Sequence, residues 1–201
     1  MKQTIGIIGA GNIAQALAHH LLKSGNRVII SSRKDPAELA EIVAILGEGT
    51  SAGTPAEAAQ ADIVVLAMPW SQLGTLTELT NWTGRTVIDA TNHFVTFIPD
   101  FQLADLGGRA SSQVVADHIP GAHVVKAFNT LNYQILKADP QEANGKRVIF
   151  ISGDYAEANA EVRVMIENFG FSVVDLGTLA DGSKLQQAKG PLNSLNLIRK
   201  S

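Results

Sequence analysis

A doubly wound α/β fold of the Rossmann type, a mainly parallel sheet with helices on both faces, is what this sequence predicts, and three observations carry the prediction. The first is a short apolar run, Ile5 to Ile8, that enters a glycine turn at Gly9 and Gly11 and passes at once into a helical pattern. The second is Ile63 to Met68, a continuous apolar run of the kind that a strand buried on both faces presents. The third is the alternation of strand-like and helix-like segments along the chain, which favours parallel strands joined by crossover helices.

The elements follow in order. After the first strand, Gly9 can take tight-turn dihedrals, Gly11 lets the backbone approach a pyrophosphate, and Ala14 lets the helix lie close on the strand. Ala14, Leu17, Ala18, Leu21 and Leu22 recur at helical spacing, Gly25 ends the run, and Arg27 to Ser31 is a second strand, completing one βαβ unit. Asp35 precedes Pro36 and the helical run Ala37 to Leu46, so it reads as a helix cap rather than a ribose ligand. Gly47 to Gly53 leaves room for a short edge strand, and Thr54-Pro55 opens a short helix through Gln60. Ile63 to Met68 is the fourth strand; Pro69 stops it, and a helical pattern follows to about Asn81.

Arg85 to Ala90 is the fifth strand, with Thr91, Asn92, His93 and Phe94 leaving its carboxyl end. Gln113 to His118 is helical with Ser111 or Ser112 as its cap, Pro120-Gly121 is a turn, and His123 to Ala127 is the sixth strand. Val148 to Ser152 is the seventh, Tyr155 to Phe169 a helix ending at Gly170, and Phe171 to Leu176 the eighth. C-terminal strands and helices thus extend the sheet within a single domain, 1–201. Beyond Thr178 the tail places Leu192, Leu195 and Ile198 at helix-like spacing; with Leu197 they are expected to pack on the domain or on a second copy, which makes a homodimer the expected assembly.

Composition narrows the function. The net charge is −3 with a pI near 5.9, and no basic cluster lies beyond Arg33-Lys34, which argues against nucleic acid or an anionic membrane as partner. A small-molecule redox acceptor is the expected partner. Without cysteine there is no thiolate chemistry and no cysteine-held metal, so redox chemistry must come from a bound cofactor. No metal site is expected. The first strand begins at once without a signal-like segment, and no apolar run approaches membrane-spanning length, so a soluble, cytoplasmic protein is expected.

The glycine turn and the helix that follows form a phosphate cradle, with free backbone N–H groups and the helix dipole facing the anion. About 20 residues further on, an NAD site wants an acid for the ribose hydroxyls, whereas a 2′-phosphate wants hydroxyls and a cation. This chain carries Ser31, Ser32, Arg33 and Lys34 there. Ser32 can donate to the phosphate, Arg33 can fork onto it, and Lys34 adds a point charge, so the cofactor read from the residues is NADP.

Catalytic groups are sparser. His93 either hydrogen-bonds a cofactor amide or acceptor carbonyl or is an ordinary loop histidine. Lys126 either stabilises negative charge on a reduced ring or snorkels from the sheet end. Asn129 either orients cofactor amides or satisfies backbone, and Trp70 is a stacking platform or a core aromatic. His19 and His20 are adjacent on a helix and point about 100° apart, so both read as surface or groove residues. No acid–base dyad is needed for hydride transfer between two stacked rings, which depends on positioning. The acceptor site is expected at the carboxyl ends of the fourth to sixth strands, among Met68, Pro69, Trp70, Asn92, His93, Phe128, Asn129 and Thr130.

Over most of its length the chain resembles the NADP oxidoreductase family whose members pass hydride between NADPH and a 5-deazaflavin coenzyme, and whose fold recurs as the cytosolic domain of transmembrane metalloreductases. The matching segments are Gly9-Ala10-Gly11-Asn12-Ile13, Ser32-Arg33, Val65 to Trp70, Val124 to Thr130, and Val174-Asp175-Leu176-Gly177. The resemblance implies that Asn12, Ile13, Ser32, Arg33, Ala67 and Met68 contact NADP, that Val65 to Trp70 forms the wall beside the nicotinamide, and that Leu131 to Tyr133 lie near the second redox ring. Where deazaflavin reductases carry Pro-Ala, this chain has Asn132-Tyr133. The expected activity is NADPH-dependent hydride transfer to a planar flavin-like or deazaflavin acceptor. Its rivals are reduction of a small imine or carbonyl, with His93, Lys126 or Tyr133 as proton donor, and NADP sensing without turnover.

Overall fold

The computed structural model describes residues 2–96 and 100–200. Strand β1 (Thr4–Ile8) is buried from Ile5 onward and delivers the chain to Gly9 at φ +133°. A Cβ there would lie 2.0 Å from the Ala67 carbonyl oxygen, so glycine is required both by the turn and by the neighbouring strand end. Helix α1 (Asn12–Lys23) lays Ala14, Leu17, Ala18 and Leu21 on the sheet, and β2 (Arg27–Ser31) returns parallel to β1.

Asp35 is a cap: its Oδ1 accepts from the Ala37 N–H at 2.8 Å, opening a 3-10 turn (Pro36–Leu39) that continues into α2 (Ala40–Leu46). The edge strand is β3 (Thr50–Gly53), and Thr54 with Glu57 forms a capping box on α3 (Pro55–Ala58). Next come β4 (Ile63–Leu66), β5 (Thr86–Asp89), a hairpin of β6 (Phe94–Thr96) and β7 (Gln102–Leu103), helix α4 (Ser111–His118) and β8 (His123–Ala127). The remainder is α5 (Tyr133–Lys137), β9 (Gln141–Glu142), β10 (Gly145–Gly153), α6 (Ala156–Phe169), β11 (Ser172–Asp175), α7 (Leu179–Gln186) and β12 (Ile198–Lys200).

The sheet runs β11-β10-β8-β5-β4-β1-β2-β3. From β3 to β8 every neighbouring pair is parallel; β10 is antiparallel to β8, and β11 follows β10 in parallel. Chain order reverses between β1 and β4, and their carboxyl ends open a crevice there. The period-2 alternation of each strand feeds two cores: Ile5, Ile7, Ile63 and Val65 join one, Ile8, Val64, Leu66 and Val87 the other.

Several expectations shift. The segment after Pro69 is a 3-10 turn, Trp70–Leu76, rather than a helix to Asn81; Gly74 and Thr75 are poor α-formers, and the Leu76 carbonyl accepts from the Trp82 indole at 2.8 Å. The fourth strand ends at Leu66; Ala67, whose N–H still donates to the Ile8 carbonyl at 3.0 Å, and Met68 face the crevice. The tail is not one helix. Residues Leu179–Gln186 are helical, but Ile198–Lys200 pairs with β10, leaving Leu195 and Leu197 exposed and Leu192 half-buried. Among the described residues no helix is long and apolar enough to cross a membrane.

Candidate active site

The turn after β1, the carboxyl ends of β2, β4 and β5, and the start of α5 enclose a groove of about 960 Å³. Gly11 forms its floor as the N-cap of α1, with φ −75°, a value open to any residue. A Cβ on Gly11 would meet nothing within 4 Å. Neither backbone nor protein neighbours require glycine here, and the bare backbone leaves room for a bulky group to lie against it. No side chain caps α1 and no acid sits in its first turn, so its leading N–H groups suit a pyrophosphate.

At one end Ser32, Arg33 and Lys34 line the groove. Arg33 is exposed and, among the described residues, has no hydrogen-bond or ion-pair partner, which leaves its fork free for an anion. Lys34 shares its charge with Glu38 at 3.2 Å, while its N–H donates to Ser32 Oγ at 3.1 Å. Ser31 is a correction: it is buried and its hydroxyl donates to the Ile7 carbonyl at 2.9 Å, holding β2 to β1 rather than facing the groove. Gly9, Ala10, Asn12, Ile13, Ala67, Met68 and Pro69 line the groove with Gly11.

The other end is walled by Trp70, Ala90, Thr91, Asn92, Phe94 and Tyr133. Of the expected acceptor residues, Met68, Pro69, Trp70 and Asn92 face the groove, whereas His93, Phe128, Asn129 and Thr130 are buried behind it. His93 stands edge-on to Trp70 at 5.9 Å, its Nδ1 without a partner. Burial, then the charge of Lys126, pushes its imidazole below the ordinary pKa. Asn129 exchanges hydrogen bonds with Asn92: its Nδ2 donates to Asn92 Oδ1 at 3.1 Å, and its carbonyl accepts from Asn92 Nδ2 at 3.0 Å. Phe128, buried at φ +64°, holds the strained turn that presents Asn129.

Lys126 does not snorkel. It is fully buried, donating to Asp89 Oδ2 at 3.0 Å and to the Thr91 carbonyl at 2.6 Å, and it does not reach the groove. Burial lowers its pKa and the Asp89 carboxylate opposes that shift. Sequence reasoning missed Asp89, although a carboxylate and an ammonium interrupting two apolar strands were both visible. His20 also departs from expectation: it is buried, with Nε2 2.6 Å from the Leu136 carbonyl and its ring stacked on Phe169, so it clamps α1 to α5 while His19 points to solvent. A wider hollow, about 1110 Å³, lies beside Lys2, Asp62 and Glu161 at the amino ends of the strands, away from the switch point where such sheets bind ligands.

Comparison with known proteins agrees with this geometry. Residues 4–93 match the family described as NADP oxidoreductase, coenzyme F420-dependent. A hypothetical protein of Sinorhizobium meliloti is 41% identical, with TM-score 0.91 over 100% of this chain and 97% of its own. A candidate F420-dependent NADP-reductase from Arthrobacter sp. is 25% identical, with TM-score 0.78 over 88% of this chain and 86% of its own. Metalloreductase STEAP3 of Rattus norvegicus is 28% identical over 90% of this chain, which spans only 35% of that relative's length. A glycine cradle at the switch point, an arginine at the end of β2 without a partner among the described residues, and a family match that begins in β1 agree: residues 4–93 carry the NADP oxidoreductase domain described as coenzyme F420-dependent.

Proposed function

We propose that the groove holds NADPH with its pyrophosphate over Gly11, its 2′-phosphate at Ser32 and Arg33, and its nicotinamide beside Met68 and Asn92, and that hydride passes to a planar, flavin-like acceptor against Trp70, Phe94 and Tyr133. The observation that carries this reading is the groove's lining: among the described residues it has aromatic and amide groups at the Trp70 end and no carboxylate or imidazole anywhere. Such a wall orients two flat rings; it does not supply a strong acid. The balance is NADPH, a proton and the oxidised acceptor giving NADP⁺ and the dihydro acceptor, with hydride leaving the nicotinamide C4 and the proton coming from solvent.

Of the donors that reduction of an imine or carbonyl would need, only Tyr133 lines the groove, at 37% exposure; His93 and Lys126 stand behind the wall. The test is NADPH oxidation with riboflavin, a 5-deazaflavin, a quinone and a cyclic imine, each followed across pH. The proposal expects turnover with a flavin or deazaflavin and deuterium transfer from 4-deuterated NADPH. Turnover of the imine alone, lost as a donor deprotonates and in a Tyr133→Phe variant, would replace it with the imine reading.

A further inference from the structure

Asp89, the last residue of β5, and Lys126 in β8 are register partners across a parallel pair and are both 0% exposed. The carboxylate is saturated. Its Oδ1 accepts from the Thr91 N–H at 2.9 Å and the Thr91 hydroxyl at 2.7 Å; its Oδ2 accepts from the Ser112 hydroxyl at 2.6 Å and Lys126 Nζ at 3.0 Å. Lys126 Nζ closes the loop by donating to the Thr91 carbonyl at 2.6 Å. Thr91 therefore has its N–H, hydroxyl and carbonyl all held by one ion pair.

A buried ion pair contributes little net stability, because desolvation offsets the attraction, and apolar residues of similar volume would serve β5 and β8 as well or better. What apolar residues cannot do is fix the three polar groups of Thr91. Thr91 and the following Asn92 line the groove, whereas Asp89, Ser112 and Lys126 do not. We propose that the Asp89–Lys126 pair is a positioning device for the Thr91–Asn92 wall, setting how the nicotinamide end of the cofactor is held and leaving the Ser32–Arg33 end untouched. This rests on the reading of the groove as the NADPH site.

Two ligands separate the ends. Adenosine 2′,5′-bisphosphate reports on Ser32 and Arg33 alone, and the fluorescence lifetime of the nicotinamide in bound NADPH reports on the wall. Three proteins are compared: wild type, Ser112→Ala, and the double variant Asp89→Leu with Lys126→Met, which removes both charges and keeps the volume. The wild type is expected to bind the bisphosphate and to lengthen the nicotinamide lifetime over that of free NADPH. The double variant leaves the Thr91 and Ser112 polar groups without their partners and should melt somewhat lower than the wild type, so it is read at a temperature where both are folded; there it should bind the bisphosphate within about twofold of wild type, yet bind NADPH about tenfold more weakly, with a lifetime returned toward that of the free cofactor.

Ser112→Ala, a small deletion away from the groove, should shift the lifetime in the same direction with the bisphosphate unchanged. That keeps the proposal testable if the double variant does not fold. A merely structural pair would give the wild-type lifetime in the folded double variant, and that result overturns the proposal. So does bisphosphate affinity falling in parallel with that of NADPH, or a wild-type lifetime equal to that of free NADPH. Failure of the wild type to bind the bisphosphate would instead sink the reading of the groove, and the proposal with it.

Discussion

At one end of the groove stand Ser32, Arg33 and Lys34, three consecutive residues on the exposed rim after β2; at the other, Thr91 and Asn92 are held by Asp89, Lys126 and Asn129, with Ser112 bonded to Asp89, a buried set drawn from the ends of two strands and a helix. The rim acts by free charge and is assembled by local sequence alone. The wall acts by geometry and exists only once β5, β8 and α4 have packed together. A rim of this kind tunes affinity one residue at a time and yields to salt, whereas a wall of this kind keeps one shape and answers to burial and protons.

The change that ignores the distinction should have the largest effect. Gly9 joins β1 to the cradle with φ +133°, and a Cβ would lie 2.0 Å from the Ala67 carbonyl oxygen. Gly9→Ala adds both backbone strain and a clash that must push β1 from the end of β4, together about 3 kcal/mol or more. Stability and NADPH affinity should fall together, by urea unfolding and by titration. A variant of wild-type stability that binds normally would show that the turn is not pinned as described.

Arg33→Ala breaks the rim alone. One lost charge-assisted contact is worth about 1.5 to 3 kcal/mol, and exposure favours the lower part of that range, so NADPH should weaken by roughly 10- to 30-fold. NADH, lacking the phosphate, should bind the variant as it binds the wild type. Calorimetric titration of both cofactors decides it; equal weakening of the two would mean that Arg33 grips the adenine or the diphosphate rather than the 2′-phosphate.

The wall should respond to acid. The folded state holds the His93 imidazole below its ordinary value of about 6.5, first by burial and then by the charge of Lys126, and His20 is shifted in the same direction by burial. The unfolded chain therefore binds protons that the folded chain refuses. The sign follows: stability is fully present above about pH 6.5 and declines as pH drops through that value toward the lowered folded pKa. The urea midpoint should fall between about pH 7.5 and pH 6, less steeply in His93→Gln. A midpoint that rises on acidification, or a variant as steep as the wild type, contradicts the buried neutral imidazole.

The rim was legible because its chemistry is written in adjacent residues: a strand, two glycines, and Ser-Arg-Lys at a fixed distance are local features. The wall was half legible. Asn129 and Lys126 stood out as polar residues at the end of an apolar strand, but their partners Asn92 and Asp89 are 37 residues away, and only the parallel register of β5 and β8 brings them together. Ser31 misled because alternation along a strand decides which of two adjacent serines faces the groove, and His20 misled because nothing in α1 announces that α5 will cover it. The strand at Val148 to Ser152 was legible, but its antiparallel direction as β10, like the small elements β6, β7, α5, β9 and β12, depends on tertiary pairing that short segments do not encode.

The smallest expected effect lies at the residue that looks most like its neighbour. Lys34 carries the same charge as Arg33, but its ammonium is a point donor without a fork, and it is already 3.2 Å from Glu38, with side chains 70% and 53% exposed. An exposed i,i+4 pair contributes about 0.3 to 0.5 kcal/mol to stability, so Lys34→Ala should leave the unfolding midpoint nearly unchanged. Its attraction for the 2′-phosphate is divided with Glu38 and screened over about 8 Å at physiological salt, so the loss in NADPH affinity should stay below about fivefold and disappear as salt is raised. Glu38→Gln should act in the opposite sense, releasing the ammonium and strengthening NADPH slightly at low salt. Titrations of the two variants at low and high ionic strength check both signs. A loss in Lys34→Ala as large as in Arg33→Ala, persisting at high salt, would mean that the rim recognises its phosphate by summed charge rather than by the guanidinium fork.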